Sequence, residues 1–302
     1  MRLATILALV LVGGCASPAR APKVLLIGLD GVRVDKLVEA TTPNIDALVA
    51  TGALSMTAHT GRPTVSGPGW SSMLIGVWPE KHGVLGNDFA GNAYGAYPDF
   101  LTRLEQVDPT FRTYAVVDWP PLASTASNGP LLSGAIDSIA LVDGDVIGYG
   151  PADSISAELA ADYLATGEVD AAFVYLGNID VVGHETSSLD PAYRMAIETA
   201  DRQVGTLLNA VRSRPTYAGE DWLILMSTDH GRRDDGGHGG NSALEQTIFV
   251  LASGPGVRVG SIEPSPGIVD VAATALVHLG VALDSSWRLD GVPLRLSASD
   301  RR

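Results

Sequence analysis

The sequence predicts an α/β fold, a mostly parallel sheet sandwiched between helices, as a single domain with a small loop or lid insertion. Three observations predict it. Short apolar runs of strand length recur along the chain. Longer segments with helical spacing separate them. Several of the runs have no internal polar alternation, as expected for parallel strands covered on both faces.

Residues 23–28 form the first apolar run, ending in Leu29-Asp30-Gly31, and read as a buried strand. Thr42-Pro43 opens a helix through Val49, because proline suits the first helical turn, and Gly52 stops it. A second helix starts near Pro68 and carries Trp70 to Leu74. Residues 114–117 read as a strand. Residues 120–150 are rich in glycine, proline and serine, with weak periodicity, and read as a long loop or lid. A helix over 152–165, a strand over 171–176 and a long helix over 191–212 follow, the last with Asp201 and Arg202 on its solvent face. Residues 222–227 and 248–252 are further apolar strands, and 269–279 a final helix. No boundary inside 23–298 splits the core, so that span is expected to be one domain.

The chain has 302 residues, 46% hydrophobic and 18% charged, enough to bury a sizeable core. The net charge is 20 − 34 = −14, and no run of lysine or arginine occurs. That argues against a polymeric nucleic-acid partner, which needs basic patches against its phosphates, and none is expected. Arg2 followed by an apolar stretch over 3–12 reads as an export signal, too short to span a bilayer. Val12-Gly13-Gly14-Cys15 resembles a bacterial lipoprotein box, which implies a lipid on Cys15. Residues 1–22 are thus expected to be a signal peptide and short linker. The mature protein is expected to be exported, held to a membrane by that lipid and facing the periplasm or exterior. Cys15 is the only cysteine, so no internal disulfide forms.

The chemistry gathers where the strands end. Asp30 follows the first strand, at the crevice where parallel sheets place functional groups. Asp180 and His184 follow the strand over 171–176, and their spacing of four puts both on one face of a helical turn. Asp229-His230-Gly231 follows the strand over 222–227, and Gly237-His238-Gly239 comes soon after. Carboxylate and imidazole sets of this kind suit zinc. His59, His82 and His278 read as structural, the first two in loops. A nucleophile is sought in the stretch 62–70, where a hydroxyl just before a helix start sits beside backbone N–H groups that favour a phosphate. Ser66 and Thr64 compete for that role.

These pieces resemble the alkaline phosphatase superfamily, in particular its type I phosphodiesterase/nucleotide pyrophosphatase branch. The motifs occur in that family's order: Gly28-Leu29-Asp30-Gly31, Thr42-Pro43-Asn44-Ile45-Asp46, the stretch 63–76, Pro79-Glu80-Lys81-His82-Gly83, Asp180 with His184, Asp229-His230-Gly231 and Gly237-His238-Gly239. The resemblance implies two divalent ions, zinc by preference. Asp180, His184 and His238 would hold one, and Asp30, Asp229 and His230 the other. Ser66 would be the nucleophile and also touch the metal, and Asn87 would bind a phosphoryl oxygen. The reaction implied is hydrolysis of a small phosphate diester or pyrophosphate through a phosphoserine; the alternatives are a phosphomonoesterase or phosphonate hydrolase on the same site, or a lipoprotein that binds a ligand without catalysis. Two departures refine this. Tyr175 stands where alkaline phosphatases carry a glutamate for a third ion, which favours diesters over monoesters. Gly67 stands where nucleotide-cleaving relatives often have a base-stacking aromatic, which leaves the diester's identity open. Ser66-Gly67-Pro68-Gly69-Trp70 lacks the arginine that sulfatases require at its end.

Overall fold

The apolar run after Arg20 forms β1 (Ala21–Leu29), the middle of an eight-stranded sheet. The computed structural model describes residues 20–297. The expected signal peptide and Cys15 lie outside the described residues. The other strands are β2 (Gly52–His59), β3 (Thr113–Val117), β4 (Ser138–Leu141), β5 (Ala171–Leu176), β6 (Glu220–Ser227), β7 (Thr247–Ser253) and β8 (Gly260–Ser261). Their order across the sheet is β4-β3-β5-β1-β6-β7-β2-β8, and only β7 runs antiparallel to its neighbours. β1 begins two residues before the expected boundary at Lys23, with Ala21 and Pro22 paired to Glu220 and Asp221.

Both faces of the sheet are covered, which explains the unbroken apolar runs. Val24 and Leu26 of β1 join Phe173, Tyr175, Leu223 and Leu225 under the helices Ser66–Ile75, Phe100–Val107 and Asp270–His278. Leu25, Ile27 and Leu29 turn to the other face and pack with Val174, Ile224 and Met226 under Tyr149–Thr166 and Pro191–Ser213. The alternation within β1 is the strand period of two, hidden in the sequence because both faces are apolar.

Four expectations need correction. The stretch over 120–150 is not all loop: it contains β4, a short helix Gly144–Ile147 and the start of the helix Tyr149–Thr166. β4 is a four-residue, half-exposed edge strand, too short to leave a periodic signal. β2 has no reading in the sequence; its mixed small and polar residues conceal a strand held by β7 and β8. His59 ends β2 and His82 ends a short helix Pro79–His82, so neither lies in a loop. Asp201 is buried rather than on a solvent face. Its carboxylate accepts from Asn44 N at 3.1 Å, Ile45 N at 2.8 Å and Asn44 Nδ2 at 2.8 Å. It therefore caps the helix Pro43–Thr51 from across the interface, where that helix has no cap of its own.

Because β1, β5 and β6 are adjacent and parallel, Asp30, the segment after Leu176 and Thr228-Asp229-His230 emerge side by side at one edge of the sheet. Among the described residues no helix is long and apolar enough to cross a membrane.

Candidate active site

Each strand end delivers one part of the site. Leaving β1, Asp30 is buried, and its Oδ2 accepts from Trp70 Nε1 at 2.9 Å and Tyr175 OH at 2.6 Å. Gly28 makes this possible: a Cβ there would meet the Trp70 ring at 2.4 Å. With Oδ2 so occupied, Oδ1 is buried and has no hydrogen-bond partner. It faces His230 Nε2 at 3.7 Å. After β6, Asp229 uses Oδ1 to accept from Gly31 N at 3.1 Å, while its buried Oδ2 has no partner and lies 3.3 Å from His230 Nε2. After β5 comes the helix Asn178–Glu185, which places Asp180 and His184 one turn apart. Asp180 Oδ2 is 3.4 Å from His184 Nε2, and Asp180 Oδ1 is 3.6 Å from His238 Nε2.

The histidines are preset as ligands. His230 Nδ1 donates to the carbonyl of Gly231 at 2.9 Å, and His238 Nδ1 to the carbonyl of Thr64 at 2.8 Å. Those bonds fix the tautomer and leave each Nε2 with a lone pair, as metal-ligating imidazoles require. His184 Nε2 and His238 Nε2 converge at 2.8 Å.

Two groups have donor atoms close enough to share an ion: Asp180, His184 and His238, and Asp30, Asp180 and His230, each within 4.8 Å. All six expected ligand side chains therefore gather in one place. Asp180 reaches both groups, and Asp229 stands beside His230.

The electrostatics call for a cation. Burial pushes Asp30 up to about 7, and the charge of Asp180 adds to that. Burial raises Asp180 to about 6 against the opposing pull of Arg232. Asp229 is pushed well above the carboxylate range by burial and then by Asp30. His230 is pushed well below the usual imidazole value by burial and by His238. Buried carboxylates that each keep one oxygen unpartnered, as Asp30 and Asp229 do, and neutral histidines that turn Nε2 inward fit divalent ions.

Ser66 and Thr64 separate here. Ser66 is the first residue of the buried helix Ser66–Ile75, and its Oγ lies 3.3 Å from His230 Nε2. Thr64 Oγ1 instead donates to the Gly240 carbonyl at 3.0 Å and accepts from Gly239 N at 3.1 Å, tying down the His238 loop. Asn87 sits at the exposed rim, and its Oδ1 accepts from Gly67 N at 2.8 Å. An N–H must face the carbonyl end of the amide, so Nδ2 is the end left to donate. Gly67 is required for this contact: a Cβ would meet the Gly86 carbonyl oxygen at 2.5 Å. An aromatic at 67 therefore does not fit this loop.

Sequence reasoning missed several neighbours. Trp70 was visible one helical turn after Ser66, but nothing marked its indole as a donor. Arg232, directly after Asp229-His230-Gly231, is fully buried and pairs with Asp180. Asp118, after β3, is fully buried with no partner on either carboxylate oxygen. It faces Asp153, which accepts from Gly177 N at 2.8 Å at the start of the Asp180 helix.

Burial, then the charge of Asp153, holds Asp118 well above the carboxylate range. The folded chain thus binds a proton there that the unfolded chain releases above about pH 4, so this pair removes stability as pH rises. Asp118→Asn should raise the melting temperature at pH 7–8, with the gain disappearing near pH 4, because its amide donates to Asp153 without needing a proton. Melts across that range check this, and a pH-independent difference counts against it.

The type I phosphodiesterase/nucleotide pyrophosphatase family model matches residues 24–235. Ectonucleotide pyrophosphatase/phosphodiesterase family member 7 of Homo sapiens is 23% identical over 256 residues, covering 76% of this chain and 53% of that protein. A phosphopentomutase of Methylobacterium sp. (strain 4-46) is 34% identical over 99 residues, covering 32% of this chain and 22% of that protein. The solved structure of murine ectonucleotide pyrophosphatase/phosphodiesterase 5 has the same fold, with a TM-score of 0.66 at 14% identity over 86% of this chain and 95% of that one. The chain spans about half the length of the curated ectonucleotide relatives it matches. A family match of this extent, on a fold and a strand-end site of this kind, places the chain in the type I phosphodiesterase/nucleotide pyrophosphatase family.

Proposed function

We propose that the chain is a two-metal hydrolase of small phosphate diesters or pyrophosphates, working through a phosphoserine on Ser66. The observation that carries this is the placement of Ser66 Oγ, 3.3 Å from His230 Nε2 at the start of a buried helix, beside the unpartnered Asp30 Oδ1 and Asp229 Oδ2. Asp180, His184, His238, Asp30, Asp229 and His230 would hold the ions, zinc by preference. When bound, the ions supply Lewis acidity for ionising the Ser66 hydroxyl and for the charge on the leaving oxygen.

Ser66 Oγ forms the new bond to phosphorus as the ester oxygen leaves with the electron pair. Water then adds to the phosphorus of the seryl intermediate, the Oγ–P bond breaks, Oγ takes a proton from that water, and the phosphate monoester departs. Asn87 Nδ2 donates to a phosphoryl oxygen, with its amide oriented by Gly67 N. Trp70 and Tyr175 hold Asp30 with one oxygen turned to the site. Tyr175 occupies that outer oxygen, which supports diesters over monoesters.

We read residues 23–298 as one catalytic domain, and the chain as an exported lipoprotein anchored through Cys15. The test is metal analysis coupled to nitrophenyl diester, monoester and phosphonate substrates. Two zinc ions per chain with the diester turned over fastest is the expected result. Faster monoester or phosphonate turnover moves the chain to those activities, and a metal-free, inactive protein overturns the proposal.

A further inference from the structure

Arg232 is the one fully buried arginine among the largest fully buried side chains of the described residues. Its donors go to three separate segments. Nε donates to the Gly31 carbonyl at 3.1 Å, directly after Asp30. Nη1 donates to the Gly236 carbonyl at 2.5 Å, in the loop that leads to His238. Nη2 donates to Asp180 Oδ1, on the helix that also carries His184. Asp180 is the only carboxylate it meets among the described residues.

Two glycines make room for it. A Cβ on Gly183 would lie 2.1 Å from Nη1 and 2.5 Å from Cζ. A Cβ on Gly31 would lie 2.7 Å from Nη2, and φ there is +64°, which glycine adopts without strain. Tyr193 closes the remaining side, with its ring 5.6 Å from the guanidinium carbon and its hydroxyl donating to the same Gly31 carbonyl at 2.6 Å.

Burying a guanidinium is unfavourable unless its donors are satisfied, and one carboxylate would do that at the surface at less cost. Here the fork is used on backbone carbonyls as well as on Asp180. A planar guanidinium fixes directions that the ammonium of lysine does not. The consequence is geometric: Asp180 Oδ1 is pinned, 3.6 Å from His238 Nε2, and Oδ2 is the oxygen turned to His184 at 3.4 Å.

We propose that Arg232 is a positioning residue for the Asp180, His184 and His238 ion group, joining the three segments that carry the site and fixing which oxygen of Asp180 a cation meets. This rests on the reading of that group as an ion site. The positive charge of Arg232 opposes a nearby cation, but it is already balanced by Asp180. Loss of the fixed geometry therefore dominates when the fork is disturbed. Outer partners of metal ligands are typically worth about 10- to 100-fold in affinity.

The experiment is zinc titration of the metal-stripped full chain against a chromophoric chelator. Two variants disturb the fork differently. Arg232→Lys keeps the charge and loses the fork, and Gly183→Ala keeps the arginine and displaces it. Either variant, folded by circular dichroism, should bind one of two ions about 10- to 100-fold more weakly, with a smaller loss at the other, which Asp180 also reaches. If Arg232→Lys does not fold, Gly183→Ala decides. Wild-type affinity for both ions, or an equal loss at both, overturns the proposal. A wild-type chain that takes up no zinc overturns the ion-site reading and this proposal with it, and that outcome is visible before any variant is made.

Discussion

Ser66→Ala is expected to lower turnover by at least about 10⁴-fold while leaving zinc binding close to wild type. The effect is large because the substitution removes the atom that bonds to phosphorus, which no neighbour replaces. Thr64, the other hydroxyl in the stretch, spends its donor on Gly240 and its acceptor on Gly239 N. Thr64→Ala should cost only about 10- to 100-fold, as a partner of a ligand-bearing loop does. The His238 tie survives it, because His238 Nδ1 bonds the Thr64 backbone carbonyl rather than its side chain. Single-turnover assays on a nitrophenyl diester with parallel metal analysis check both. If Thr64→Ala is the dead variant and Ser66→Ala is active, the nucleophile lies two residues earlier.

The sequence made the central strands and the ligand set legible for the same physical reason. β1, β5 and β6 are buried on both faces, so they appear as apolar runs, and the polar residue ending each run stands out against them. The sheet's edges were hidden because β4 and β2 are short or mixed, and only their neighbours make them strands. Asp201 was misplaced because helical periodicity cannot distinguish a solvent carboxylate from one that caps another helix 157 residues away in sequence. Which oxygen of Asp30 is free, and what holds Asp180, depend on Trp70, Tyr175 and Arg232. Those contacts cross between strand ends and leave no local pattern. The pairing of ligands into two groups was likewise a property of three-dimensional placement, since Asp180 reaches both.

Asp30→Asn should reverse the relation between stability and activity. In the metal-free protein Asp30 is buried beside Asp180, with its carboxyl pushed up to about 7, and Oδ1 has no partner. The folded state therefore holds a proton that the unfolded state has released, so stability falls as pH rises from about 4 through 7. An asparagine removes that loss. Its carbonyl oxygen can keep the bonds from Trp70 and Tyr175, and its neutral amide needs no proton to sit in the buried place of the carboxyl. At pH 8 with chelator, the variant should melt at a higher temperature than wild type, its stability greater by on the order of a few kcal/mol, and the difference should vanish near pH 4. With zinc the order inverts. The variant offers an N–H donor where an ion needs an electron pair, so wild type gains zinc-linked stability and the variant gains much less. Turnover should fall by about 10³-fold, the equivalent of several kcal/mol of lost Lewis-acid assistance. Thermal melts with chelator and with zinc, run beside the activity assay, measure all three effects. A variant that is less stable than wild type without metal, yet equally stabilised by zinc, would mean that Asp30 is a structural carboxylate and that the second ion is held without it.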